Sequence, residues 1–323
     1  MKLATLDDGS RDGHLVVVDH AGTRYRSAAD VARCLQAALD DWPCCEPRLR
    51  ALAAELERES NAPALDLSRL LAPLPRAFEW VDGSAYLNHV RLARRARGAD
   101  LPPGLESEPL VYQGGSGVLL GARSPIVLPD VSWGLDFEAE VCVVLGDVRR
   151  GVHAEEAAGA IRLVLLANDL SYRNLIPAEV AKGFGFFNSK PATAFSAFAV
   201  TPDELGAAFR GGRLHLDMRC SLNGREVGRP NAGDGMFFSF HDLIAHIAKT
   251  RDFTAGTLLG GGTVSNADPA RGVACLAEQR CLELLATGVA STPFLAPGDR
   301  VRIEMLDDGR DIFGAIEQEV IAA

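Results

Sequence analysis

The chain of 323 residues is long enough for about two domains, and its 47% hydrophobic and 24% charged content suits a globular protein with a full apolar core. Lysine and arginine total 33 against 43 acidic residues, a formal charge of −10, which argues against a general binder of nucleic acid or anionic membrane. No apolar run approaches the ~18 residues of a membrane span. In chain order, the opening MKLATLDDGSRDG soon turns acidic and lacks the apolar centre of a signal peptide, so a cytoplasmic location is expected. Residues 3–6 and 14–19 read as short strands around DDGSRDG, with a second turn at HAGTR. Residues 28–59 read as helical, because Val31, Leu35, Ala38 and Leu39, then Leu49, Leu52 and Leu56, recur at helical spacing. The seven cysteines, with one adjacent pair at Cys44 and Cys45 and no CxxC, fit reduced thiols. Leu65, Leu67, Leu70, Leu71 and Leu74 then run into Pro73 and Pro75. The expectation is a small N-terminal α/β module over residues 1–75, ending in a linker near 68–76, and a second domain over 76–323.

Beyond the linker, Asp82 precedes a helical stretch at 85–97 that carries His89. If the helix begins near Asp82, the two lie about two turns apart and project to a similar side. Asp82 as an N-cap, or His89, Arg91, Arg94, Arg95 and Arg97 as a solvated helix face, fit the same residues. The segment QGGSGV at 113–118 has valine where a serine-hydrolase GxSxG needs glycine, and GSGVLLG lacks the GxGxxG spacing.

The stretch LDFEAEVCVVLG at 135–146 alternates. Phe137, Ala139, Val141, Val143 and Leu145 share one strand face; Asp136, Glu138, Glu140, Cys142 and Val144 share the other. Glu138 and Glu140 are then roughly 7 Å apart on one face. Either that face is solvated, or a cation relieves the repulsion between buried carboxylates. A buried strand at 163–167 ends in Asn168-Asp169, followed by Arg173, a place where functional groups gather or where Asp169 simply caps a turn.

Further strands are expected at 196–200, 214–222, 300–305 and 312–320, with Asn223-Gly224 as a hairpin turn and short helices at 154–160 and 243–248. Gly260–Gly262 before Thr263 read as a loop whose N–H groups bind a carboxylate, or as a simple turn. Strands not regularly spaced by helices indicate a sheet-rich α+β fold instead of a doubly wound one. Asp82, Glu138, Glu140 and Asp169 form an all-oxygen set that suits Mg²⁺, Ca²⁺ or Mn²⁺ and does not suit zinc. Pattern alone does not single these four out of the 43 acidic residues.

The series Asp82-x6-His89, LDFEAE, Asn168-Asp169-x-Ser171-x-Arg173, Lys190-Pro191 and GGTVS resembles, in order and spacing, the fumarylacetoacetate hydrolase family. The resemblance covers roughly residues 75–320, and the N-terminal module is similar to that of two-domain bacterial members. It implies the family's mixed β-roll catalytic domain and hydrolysis of a C–C bond in an acylpyruvate or β-diketo acid. The expected reaction is fumarylacetoacetate to fumarate and acetoacetate, in the breakdown of tyrosine or related aromatic compounds. The resemblance carries metal ligation, with Mg²⁺ foremost, to Asp82, Glu138, Glu140 and Asp169. It makes His89 the base that activates water, Glu278 its orienting partner, and Arg173 and Lys190 the cations that bind substrate and stabilise the carbanion. Tyr112 and Thr263 become substrate contacts. A dicarboxylic keto acid substrate and a homodimer follow from the same likeness. The chain departs from it at Ile176, where members that cleave fumarylacetoacetate have glutamine; Asn188 is the candidate replacement. Lys190 lies in the apolar GFFNSKPATAF, which would lower its pKa and let it deliver a proton to the departing carbon. Fumarylpyruvate or maleylpyruvate hydrolysis, keto-acid isomerisation or decarboxylation, and a non-catalytic metal-binding protein are the alternatives. A base such as His89 favours adding water.

Overall fold

The structure is a computed structural model that describes residues 1–96, 98, 100–101 and 103–323, so Arg97 of the expected helix lies outside the described residues. Three antiparallel strands open the chain: β1 (Lys2–Leu6), β2 (His14–Val18) and β3 (Tyr25–Ser27). The helical pattern that follows splits into α1 (Leu35–Asp40) and α2 (Trp42–Arg58). Asp41 leaves helical geometry, and Pro43, which has no N–H to satisfy, opens the second helix. The stretch expected as a linker is packed down. Leu71 donates its N–H to the Thr5 carbonyl, the Thr5 hydroxyl donates to the Pro73 carbonyl, and Leu70, Ala72, Pro73 and Leu74 are buried. Backbone bonds to β1, which also run from the Asp7 N–H to the Arg69 carbonyl, hold the segment against the sheet.

Next come β4 (Trp80–Gly83), α3 (Leu87–Ala96), β5 (Val111–Gly114), β6 (Ile126–Leu128), β7 (Leu135–Asp136) and β8 (Ala139–Leu145). They lead to α4 (Ala154–Ala157), β9 (Ile161–Asp169), β10 (Ser171–Tyr172), α5 (Ile176–Val180), β11 (Thr193–Phe195) and β12 (Ala199–Val200). The strand expected over 214–222 is two short ones: β13 (Phe209–Arg210) pairs with β14 (Arg213–Leu214), and β15 (Met218–Leu222) with β16 (Arg225–Gly228). The β15–β16 turn is the expected Asn223-Gly224, with φ of 52° and 77°, the left-handed values of a type I′ turn. The chain closes with α6 (Phe240–Ile247), β17 (Leu258–Thr263), α7 (Leu276–Thr287), β18 (Arg300–Asp307), β19 (Arg310–Asp311) and β20 (Ile316–Ala322).

Among the described residues, the main sheet runs β3-β2-β1-β12-β9-β8-β17-β4-β5, with β11 also on β9; a second sheet runs β16-β15-β18-β20-β6, with β19 on β18. The fold is α+β and sheet-rich. β8 sits centrally with both faces buried. Its odd-numbered residues join α6 and the second sheet in one core; Cys142 and Val144 face the other core, with Leu35, Leu49 and Leu56 of α1 and α2. The N-terminal strands continue the main sheet, since Lys2 and Leu3 of β1 pair with Val200 and Ala199 of β12.

Candidate active site

Asp82 on β4, Glu140 on β8 and Asp169 at the end of β9 come from strands adjacent in the order β9-β8-β17-β4. One carboxylate oxygen from each lies within 4.8 Å of the others. β17 passes between Glu140 and Asp82, and glycine is what lets them approach across it. A Cβ on Gly260 would stand 2.3 Å from Asp82 Oδ1 and 2.5 Å from the Trp80 ring. Gly260–Gly262 are therefore strand and not the loop expected from their composition. Gly262, at φ +81°, donates its N–H to Asp82 Oδ1 at 3.0 Å, so it serves this chain's own carboxylate. Asp82 also lies on a strand ahead of α3, so the helical spacing inferred between it and His89 does not hold.

The solvated acidic face is not found either: Glu138 is 5% exposed and Glu140 0%. Among the described residues, neither carboxylate oxygen of Glu140 has a hydrogen-bond partner. Burial and the charge of Asp169 push Asp82 up to about 8, and burial with Asp82 and Asp169 drives Glu140 well above the carboxylate range. Buried carboxylates this close need a proton or a cation between them. The donors are all oxygen, and two of them are unclaimed, so the residues fit a hard divalent ion.

Glu138 stands outside that trio. The pairing pauses between β7 and β8, and the side chain turns to two cations: Oε1 lies 2.6 Å from Arg173 Nη2 and Oε2 lies 2.5 Å from Lys190 Nζ. Burial would raise Glu138, but Arg173 and Lys190 hold it well below the usual range. Lys190 Nζ also meets Asp169 Oδ2 at 2.6 Å, so one ammonium bridges Glu138 and Asp169. This corrects the lowered pKa expected from the apolar sequence around Lys190. Burial does lower it, yet Asp169 and Glu138 outweigh burial, and the net shift is upward. Asp169 accepts two further bonds, from the Tyr112 hydroxyl at 2.6 Å and the Thr193 hydroxyl at 2.7 Å. The Tyr112 phenol is thus committed to a carboxylate of the cluster.

His89 is near the start of α3 and Glu278 near the start of α7, and the structure brings them together, Nδ1 to Oε1 at 2.9 Å. A carboxylate only accepts, so Nδ1 carries the proton and Nε2 is left as the basic nitrogen. Asp136 fixes this arrangement from below. Its buried carboxylate accepts the N–H groups of Leu276 (2.7 Å) and Ala277 (2.9 Å) at the start of α7, and receives Arg173 Nε at 2.8 Å. Sequence reasoning missed both Asp136 and Thr193. The signal for Asp136 was its place on the same face as Glu138 and Glu140; Thr193 gave none until its strand was paired with Asp169.

Asp82, His89, Tyr112, Glu138, Glu140, Arg173, Lys190 and Thr263 line one cavity of about 510 Å³. Asp169 and Glu278 stand behind it. Ile176 lines it too, whereas Asn188, the candidate replacement for the family glutamine, is exposed and gives its N–H to Glu179 at 2.7 Å.

A chain with this fold and this pairing of an acidic cluster with an imidazole has the makings of a cation-assisted enzyme. Residues 79–321 match the family described as fumarylacetoacetate (FAA) hydrolase C-terminal, and residues 1–76 match fumarylacetoacetase N-terminal domain 2. The chain belongs to the fumarylacetoacetate hydrolase family. It is similar to 2,4-didehydro-3-deoxy-L-rhamnonate hydrolase of Sphingomonas sp. (strain SKA58), 29% identical over 162 residues, which are 49% of this chain and 54% of that protein. It is also similar to the human mitochondrial oxaloacetate tautomerase FAHD2B, 26% identical over 224 residues, 66% of this chain and 63% of the relative. The chain therefore spans about half the length of the first and under two thirds of the second. Two solved structures share its fold over 100% of both chains at 17% identity. They are maleylpyruvate hydrolase from Sphingobium sp. SYK-6 in complex with manganese (II) ion and pyruvate (TM-score 0.67) and fumarylacetoacetate hydrolase from psychrophilic Exiguobacterium antarcticum (TM-score 0.68). Among the described residues, no helix is long and apolar enough to cross a membrane.

Proposed function

We propose that this chain is a divalent-cation-dependent hydrolase that cleaves a C–C bond of an acylpyruvate or related β-diketo acid. The observation that carries the reading is the meeting, at one cavity, of the His89–Glu278 pair with a carboxylate cluster in which both Glu140 oxygens lack partners among the described residues. Asp82, Glu140 and Asp169 would hold the ion, with Glu138 reaching the same space through the ammonium it shares with Asp169. Mg²⁺ is the first candidate, Mn²⁺ and Ca²⁺ the next. Such an ion, when bound, polarises the substrate's neighbouring oxygens.

The chain's own groups supply the rest. His89 Nε2 takes a proton from water, while Glu278 holds the tautomer and stabilises the imidazolium. The water oxygen adds to the acyl carbonyl, and the bond from that carbon to the neighbouring CH2 breaks. The electron pair is left on the CH2 carbon as an enolate, beside the fixed charges of Arg173 and Lys190. Lys190 is held protonated by two carboxylates, so it serves as a charge partner, and His89 returns the proton to carbon. Thr263, on the cavity wall, is proposed as a substrate contact. Fumarylacetoacetate, fumarylpyruvate and maleylpyruvate are the substrates that the resemblance brings forward, in a cytoplasmic homodimer that degrades tyrosine or related aromatic compounds.

A panel assay with fumarylacetoacetate, fumarylpyruvate and oxaloacetate under Mg²⁺, Mn²⁺ or Ca²⁺ tests the class. Hydrolysis of a diketo acid, absent without the ion, is the expected result; oxaloacetate tautomerisation alone would replace the reading. His89→Ala is expected to cut turnover by about 10²–10⁴-fold with bound metal unchanged. Near-normal turnover would remove the histidine from the mechanism.

A further inference from the structure

A second, larger pocket, open to solvent, adjoins the catalytic cavity. The two share Tyr112, Phe186 and Lys190 as walls, and the Phe186 ring packs edge-on against Tyr112 with centroids 5.3 Å apart. Apart from the exposed Gln113 and Asn188, the rest of the wall is largely apolar. Trp133 and Tyr172 stack edge to face at 5.1 Å, with Leu175 and Phe187 beside them. Among the described residues, its one cation is Lys190, whose ammonium is already held at 2.5 and 2.6 Å by Glu138 and Asp169. A second carboxylate entering here would meet no free positive charge, only the neutral amides of Gln113 and Asn188. An aryl or bulky alkyl group would leave water and pack against ring edges. Ile176, on the neighbouring wall of the catalytic cavity, adds no polar group.

Resting on the hydrolase reading above, we propose that this pocket receives the acyl end of the substrate. The substrate is then an acylpyruvate with an aromatic or bulky apolar acyl group instead of a dicarboxylic keto acid. The shared wall of Tyr112, Phe186 and Lys190 argues for that occupant, because it makes the pocket a continuation of the cavity in which the diketo head would bind. The reaction balances as R–CO–CH2–CO–COO⁻ + H2O → R–COO⁻ + CH3–CO–COO⁻ + H⁺. Water's oxygen ends on the acyl carbon, and the CH2 carbon gains a proton.

Two 2-oxo acids with no cleavable 1,3-dicarbonyl separate this proposal from the hydrolase reading: 2-oxo-4-phenylbutanoate and 2-oxoadipate, titrated by calorimetry into the full chain with Mn²⁺ present. The phenyl compound is expected to bind roughly tenfold tighter or more. Trp133→Ala should erase most of that preference. Gly115→Arg, at a pocket position where an added Cβ meets nothing within 4 Å, should move the preference toward 2-oxoadipate without disturbing packing. Equal affinities, a preference for the dicarboxylate, or no binding of the phenyl compound would overturn the assignment. So would a Trp133→Ala that changes only the oligomeric state, since a second copy of the chain would then fill the pocket. In turnover, benzoylpyruvate is expected to exceed fumarylpyruvate in kcat/KM. The reverse order sinks the pocket and leaves the hydrolase standing. Binding preference without cleavage of either sinks the hydrolase and leaves the pocket.

Discussion

In the proposed mechanism Glu278 would reach the reacting atoms only through His89, by a single hydrogen bond of 2.9 Å. Replacing it with glutamine keeps the size but swaps a pure acceptor for a group that also donates, so the imidazole is no longer held in one tautomer. Glu278→Gln is expected to lower kcat by about 10²-fold or more, with KM and metal content little changed. Steady-state kinetics over a range of pH check it, and a rise in KM alone would make Glu278 a packing residue. His89 and Glu278 were nameable from sequence only through the family resemblance, because nothing in their spacing joins residues 189 positions apart. Asp136 shows the opposite failure. It was visible beside Glu138 and Glu140, yet its partners are the N–H groups that open a helix 140 residues later, and local alternation does not encode them. The resemblance made Glu138 a metal ligand, whereas its carboxylate faces Arg173 and Lys190, cations that arrive from elsewhere in the chain.

At the scale of single elements, β17 illustrates what composition hides. Three successive glycines read as a turn because glycine is rare within strands, and only the pairing of Gly260 with both Asp82 and Cys142 shows why they sit in one. Gly260→Ala puts a methyl group 2.3 Å from Asp82 Oδ1, so the carboxylate or the strand must move. Mn²⁺ affinity measured by calorimetry is expected to fall about 10–100-fold with the far-ultraviolet spectrum unchanged. Unaltered affinity would show that the strand absorbs the methyl. Helix α5 makes a different kind of join. Glu179 accepts the N–H groups of Phe187 (2.9 Å), Asn188 (2.7 Å) and Ser189 (3.1 Å) and the Ser189 hydroxyl (2.6 Å), tying down the turn that leads to Lys190. Partial burial would raise its pKa, but these bonds, led by the Ser189 hydroxyl, carry it down to about 2. The unfolded value is near 4.5, so this stabilisation is fully present above that pH and is lost as pH falls from there through about 2. The Tm difference between wild type and Glu179→Gln should therefore be constant above about pH 5 and close toward zero near pH 2. A difference that persists at pH 2 would assign the contact to the shape of the side chain and not to its charge.

Across the whole molecule, the change in composition near residue 75 marks where helices give way to strands, and it hides the sheet that runs through that point. β1 pairs with β12 nearly two hundred residues away, a long-range register that no local pattern reveals. The first 76 residues also supply α1 and α2, whose Leu35, Leu39, Leu49 and Leu56 cover the face of the main sheet formed by Val144, Leu163 and Leu165. That same sheet carries Asp82, Glu140 and Asp169 near its strand ends, so the early residues support the site without touching it. Stripping them away would bare Val144, Leu163, Leu165 and Ala199 together with the edge of β12. At about 1.5–3 kcal/mol for each large aliphatic side chain, the loss approaches the ~5–15 kcal/mol by which a typical domain is stable at all. Residues 77–323 expressed alone are thus expected to aggregate or to melt without a cooperative transition, and to bind no Mn²⁺, because the strands that converge the carboxylates would no longer hold register. Calorimetric melting and gel filtration of that fragment decide the matter. A monodisperse fragment that melts cooperatively and retains the ion would make the N-terminal segment a separable module whose sheet pairing is incidental.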